Sequence, residues 1–266
     1  TSTKANPRQR FSTRLRLALW TFTLCGLAGL VQAESELILP MPTEFGAIPA
    51  LTFDLDGKKR GTATLSIDRI GENRALVRGA AALESGGRTR FQAELAILEG
   101  ESGLQLLQQE SQSHNQQGES MGLLHVDHAK GIATCTPPPR SERQPVIVKL
   151  GERDRVANIG LSLLFQPLAA GSVQKVLFQI LLCRDDPQVL DFEAIVVARS
   201  APEADRKLVK ILYQPDFGAL LSWIAQAVVP DLFFWFDVTN QPLYLAHEMP
   251  LFAAGPEIRI VREGVT

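Results

Sequence analysis

Four histidines, His114, His125, His128 and His247, and two cysteines beyond residue 33, Cys135 and Cys183, are the residues of this chain best able to do chemistry. The stretch "HVDH" at 125–128 offers a metal two imidazoles and the Asp127 carboxylate. On a strand, however, side chains alternate, so His125 and Asp127 share a face and His128 takes the other. A zinc site needs three or four convergent ligands, and no further ligand stands at a recognised spacing. A polar strand end entering a turn accounts for these residues. His247-Glu248 opens like a zinc-protease motif, but "HEMPLF" lacks the second histidine and holds Pro250. Ser162 in "GLSLL" sits in no G-x-S-x-G elbow, and "ESGGRT" has no phosphate-loop lysine. Asp185 and Asp186 precede Pro187 and read as a solvated turn. The chain therefore reads as a non-enzyme, with no catalytic residue, metal ligand or cofactor motif assigned.

The cysteines acquire meaning from the first 33 residues. These carry Lys4, Arg8, Arg10, Arg14 and Arg16 and no acid, then "LALWTFTLCGLAGLV", then Val31 and Ala33 before Glu34. A basic segment, an apolar segment and small residues before the cut describe a secretory signal peptide, with cleavage after Ala33. An uncleaved N-terminal membrane anchor is the alternative reading. Cys25 lacks the small preceding residue that a lipoprotein signal requires. Residues 34–266 are then one exported, periplasmic domain. In an oxidising compartment Cys135 and Cys183 are expected to pair, the alternative being two separate buried thiols.

Charge excludes one class of partner. The chain has 27 basic and 29 acidic residues, and removing the five leader cations leaves 22 against 29, a net of −7. An acidic domain without a basic stripe does not suit nucleic acid.

The elements around these residues are mostly strands. "GTATLSIDRI", "RALVRGAAALE" and "RTRFQAELAILE" alternate with period two and are parted by "GEN" and "SGG", which predicts an antiparallel meander. "QQESQSHNQQGES" reads as a strand end and an exposed loop, and "MGLLHVDHAKGIATC" as a hairpin turning near residues 129–131. "TPPPRSERQP" cannot lie inside a sheet and is a surface loop. Two short helices follow, at about 155–166, capped by Asn158 and stopped by Pro167, and at 217–229, capped by Asp216 and stopped by Pro230. Strands are expected in "SVQKVLFQILLC", "VLDFEAIVVARS", "RKLVKILYQ", "LYLAHEM" and "PEIRIVREG". The predicted fold is mainly β: an antiparallel meander forming a barrel or half-barrel, covered or plugged by the two helices.

"DLFFWFDVTNQPLYLAHEMP" places Phe233, Phe234, Trp235 and Phe236 in one row. As a strand it is apolar on both faces, so both must be covered, and the helix at 217–229 is the nearest lid. "GLSLLFQPLAAGSVQKVLFQILL", "FFWFDVTNQPLYLAHEM" and "GPEIRIVREG" resemble exported bacterial proteins of unknown function that form a curved antiparallel half-barrel. The resemblance spans about residues 50–264. It implies an architecture similar to the periplasmic lipoprotein-carrier fold and, loosely, to lipid-binding barrels, and it assigns no site residues.

Side-chain size separates the two halves of the chain. Ala63, Ala75, Gly79, Ala81 and Ala93 align on the early strands, whereas the later segments are rich in rings. Small walls facing large ones leave an apolar pocket, or else let a helix pack closely. On the first reading Phe91, Phe178, Phe192 and Trp235 border a space for a lipid or acyl chain. On the second the protein is a structural or assembly factor that binds another envelope protein through a sheet edge or the loop near 110–120.

Overall fold

Strict alternation along successive segments forces their apolar side chains onto one face, and that face curls inward. The computed structural model describes residues 37–151, 155–183, 186–201, 205–216, 232–251 and 255–264, all within the unit Glu34–Thr266. The leader at 1–33 and the helix expected at 217–229 lie outside the described residues. The strands are β1 (Ile38–Leu39), β2 (Gly46–Phe53), β3 (Lys59–Arg69), β4 (Arg74–Leu83), β5 (Arg88–Ile97), β6 (Leu104–His114), β7 (Ser120–Asp127) and β8 (Ile132–Thr136). After the proline-rich loop come β9 (Val146–Lys149), β10 (Lys175–Leu182), β11 (Gln188–Arg199), β12 (Leu208–Pro215), β13 (Leu232–Asp237), β14 (Leu243–Pro250) and β15 (Glu257–Arg262).

All neighbours in the sheet are antiparallel, in the order β10 through β15, then β2 through β9, with β1 appended to β6. Two meanders are thus joined by the non-local pairing of β15 with β2. Nothing in the sequence reading assigned an element to residues 46–53, where Pro49 interrupts the pattern. The proline is tolerated because its backbone faces β15 just beyond that strand's end, where Glu263 N–H donates to the Pro49 carbonyl. Of the polar stretch read as a strand end and an exposed loop, residues 108–114 stay in β6 because β5 and β7 satisfy their backbone on both sides. Only 115–119 turn.

The sheet is not closed. β10 and β9 end the strand order and share no ladder among the described residues. What spans the seam is the segment 155–159. Ala157 N–H donates to the Gln179 carbonyl and Gln179 N–H to the Arg155 carbonyl, at 2.8 and 2.9 Å. The Asn158 amide then imitates a peptide: its nitrogen donates to the Leu181 carbonyl and its oxygen accepts from Leu181 N–H. Asn158 is therefore an edge blocker and not the expected helix cap. On the other side the buried Gln109 of β6 donates to the Val156 carbonyl at 2.9 Å and accepts from Ile159 N–H at 2.9 Å. The Cys135–Cys183 disulfide crosses the same seam, from β8 to the residue after β10, with Cα atoms 5.4 Å apart.

The helical segment begins at Gly160, whose φ of +83° suits glycine, and runs as α1 (Leu161–Leu164) and α2 (Gln166–Ala170). Pro167 does not stop it. It occupies the first turn of α2, where a missing N–H costs nothing. Leu163, Leu164, Phe165, Leu168 and Ala169 are all buried in one core with residues of β3–β6 and β10–β14. Arg199 donates to the Leu168 and Ala169 carbonyls at the far end. The segment is a plug seated inside the curl.

Candidate functional site

The inner face of the curl is where this fold gathers its distinctive side chains. Its centre is Phe165 of the plug, fully buried between Phe178 at 5.5 Å, Tyr213 at 5.6 Å and Phe234 at 5.1 Å between ring centroids. Phe192 joins them, 5.7 Å from Phe178. Phe178 and Phe192, both expected to border a ligand space, are thus brought together, and the plug packs against them. Burial also holds the Tyr213 phenol protonated, with its pKa pushed up well beyond the usual range.

Phe91 lies on the same inner face. Its ring lies over Gly79, the residue opposite it on β4, and a Cβ at Gly79 would come within 2.1 Å of the ring. The small side chains divide into two groups. Ala75 and Ala93 belong to the core around the plug, whereas Ala50, Ala63 and Ala81 pack with Leu251, Ile258 and Ile260.

Trp235 does not border this space. Leu232, Phe234 and Phe236 alternate inward, which turns Phe233 and Trp235 to the outer face, where both are half-buried. There Lys210 Nζ lies 3.5 Å from the Phe233 ring centroid and 5.1 Å from that of Trp235, and the Arg259 guanidinium lies 5.7 Å from Trp235. Cations roof the outer rings in part. Phe234 takes the inner position expected of Trp235. Alternation puts Phe234 on one face with Leu232 and Phe236 and Trp235 on the other, and the neighbours across the ladder make the Phe234 face the inner one. Trp235→Ala should therefore cost about 1–2 kcal/mol rather than the 3–5 of a fully buried ring. The midpoint of urea unfolding checks this, and a parent-like midpoint would show that the ring contributes no packing.

Polar groups enter the inner face beside Phe234. The Tyr244 hydroxyl lies 2.6 Å from His247 Nδ1, and the imidazole stacks on Phe234 at 5.1 Å. Desolvation lowers the His247 pKa from 6.5 to about 4, so the ring is neutral at pH 7. One row of inner-face residues runs Phe234, His247, Ile260, Thr52 across four adjacent strands. Thr52 is fully buried and its hydroxyl has no hydrogen-bond partner among the described residues. Two residues along, Arg262 is inner-facing beside Ala50 and makes a bidentate ion pair with Glu44, one bond at 3.0 Å.

His247 predicts a pH dependence. The unfolded chain takes up a proton near pH 6.5 that the folded protein refuses until about pH 4. Stability is therefore complete above pH 6.5 and falls as the pH drops towards 4, by on the order of 2–3 kcal/mol. Burial lowers His128 in the same direction. Thermal melts of the parent and His247→Phe between pH 4 and 7 check the sign, because the variant should lose less stability across that window.

The remaining candidates have structural partners. His128 shares a 2.7 Å hydrogen bond with the Gln109 amide, His125 stands by Glu110 on the outer face, and Asp127 binds the Lys130 N–H and ammonium. Among the described residues no group of three or more His, Cys, Asp or Glu could hold a metal, and no helix is long and apolar enough to cross a membrane.

No family model matches the chain, and no curated relative matches it. Among solved structures it is similar to a beta-barrel-like protein of the domain of unknown function DUF1849 from Brucella abortus, at 11% identity and a TM-score of 0.42, over 86% of this chain and 97% of that one.

Proposed function

We propose that this chain is an exported, non-enzymatic protein of the cell envelope that binds an apolar lipid or acyl ligand on the inner face of its curled sheet. The observation that carries the reading is the half-buried apolar surface of Leu65, Phe91 and Met249, which face inward beside the plug-filled core without being fully covered by it. Accessible apolar area inside a concave sheet is what an acyl chain would cover. The basic-apolar leader and the disulfide both support an oxidising compartment outside the cytoplasm.

Native mass spectrometry of protein prepared from an envelope fraction tests the reading. Lipid adducts that vanish on delipidation and return on adding lipid are expected. Protein that carries no adduct and takes none up would rule the reading out.

One observation favours a second reading, an assembly factor. β9 is a bare edge strand of four residues, and its Ile147 is 66% exposed beside the exposed Val146. Such an edge can accept a strand from another envelope protein. Crosslinking that captures one defined partner through β9, in protein free of lipid, would favour it.

A further inference from the structure

We infer that Thr52 and His247 form the polar end of the inner-face site and receive the oxygens of an uncharged acyl ester, such as an acylglycerol. The inference rests on the ligand-binding reading above and adds where the head lies and which charge it carries. The Tyr244 phenol keeps its proton, because burial pushes its pKa up, and its O–H donates a hydrogen bond that His247 Nδ1 accepts. A neutral imidazole then carries its single N–H at Nε2. That N–H finds no acceptor among the described residues, although His247 is only half-buried. The Thr52 hydroxyl is likewise without an acceptor, and it is wholly buried. A buried donor left unpaired, as the Thr52 hydroxyl is, is costly, and nearly all such groups in folded proteins have partners; the half-buried His247 N–H is instead open to solvent or to a ligand.

Register places the two donors on one face. His247 pairs with Ile260 and Ile260 with Thr52, so two strand spacings, roughly 10 Å at the backbone, separate them. Two donors set in an otherwise apolar wall call for a ligand with acceptor oxygens on an apolar body. A glycerol ester has several such oxygens. Thr52 is sealed by the side chains around it, so an oxygen reaching it takes their place.

Charge decides between an ester and a fatty-acid anion. The titratable groups around this row are Tyr244, His247, Arg262 and Glu44. Tyr244 and His247 are neutral at pH 7, and Arg262 is matched by Glu44 through two hydrogen bonds. The row thus offers no uncompensated cation, and burying a carboxylate there would be strongly unfavourable.

Isothermal titration of the delipidated protein with 1-oleoylglycerol and with oleate tests the inference, using the parent, Thr52→Val, His247→Phe and His247→Gln. The parent should bind 1-oleoylglycerol at least about tenfold more tightly than oleate. Thr52→Val should weaken binding about fivefold while melting no lower than the parent, since it removes an unpaired hydroxyl at nearly constant shape. His247→Phe should weaken binding about tenfold, and His247→Gln, which keeps an N–H donor, should recover most of it. Should His247→Phe fail to fold, Thr52→Val and His247→Gln still decide the matter. Equal binding of oleate, or unchanged affinity in Thr52→Val with His247→Gln below His247→Phe, would overturn the inference while leaving ligand binding intact. A parent that binds neither compound would instead remove the binding reading itself.

Discussion

Replacing Phe165 by alanine is expected to destabilise the protein by about 3–5 kcal/mol, the largest effect of any single side chain in the plug. The ring is fully buried and touches three others that come from three different strands, Phe178 on β10, Tyr213 on β12 and Phe234 on β13. Those strands are held in register by the β10–β11, β11–β12 and β12–β13 ladders, so the surrounding rings cannot move in to refill the space. The vacated volume stays as a cavity, and the cavity adds its own cost to the lost transfer energy. Phe165→Leu retains most of the volume and should cost less than half as much. Chemical denaturation followed by tryptophan fluorescence and by circular dichroism would measure both variants. A Phe165→Ala protein within about 1 kcal/mol of the parent would mean that the plug is not inserted between these rings, because a truly buried ring cannot be removed so cheaply.

Reduction of the disulfide, or the double substitution Cys135→Ala with Cys183→Ala, should remove about 4 kcal/mol, as the chain-entropy relation gives for a loop of this length. The bridge closes 48 residues of chain. Its position makes the loss local as well as global. Cys135 sits in β8 and Cys183 just after β10, on opposite sides of a seam that no ladder crosses among the described residues. What remains there after reduction is the pairing at Gln179, the Asn158 amide on Leu181, the Gln109 contacts and the small cluster of Leu124, Val126, Ala133, Val156 and Leu181. Hydrogen exchange should accordingly rise first at 155–159 and at Gln179–Leu181, before β3–β5 lose protection. Uniform loss of protection across the sheet would show instead that the seam and the meander open as one unit.

The sequence by itself determined most of the strands, though not β1, β2 or β9, and where most of them turn. Period-two alternation from residue 62 to 97 is legible because each side chain's face depends only on its own position along the strand. The short turn residues at 71–73 and 85–87 and the proline run at 137–145 mark boundaries for equally local reasons. The pairing of Cys135 with Cys183 was legible as an expectation, with two separate thiols as the alternative, because these are the two cysteines beyond the leader-like first 33 residues. Alternation also places Trp235 opposite Phe234, but it does not say which of the two faces is the inside. That was decided by the neighbours across the ladder, where Phe234 meets Ile211 on β12 and His247 on β14, both inner-facing, and Trp235 meets Lys210 on β12. The same holds for Gln109, Asn158 and Thr52. Each is an ordinary polar residue in the sequence, and its role depends on strands or loops that lie tens to hundreds of residues away. Thr52 and His247 share a row only because β15 pairs with β2 and joins the two ends of the described chain. Contacts at that separation leave no local period to read, so only the tertiary structure could place the candidate site.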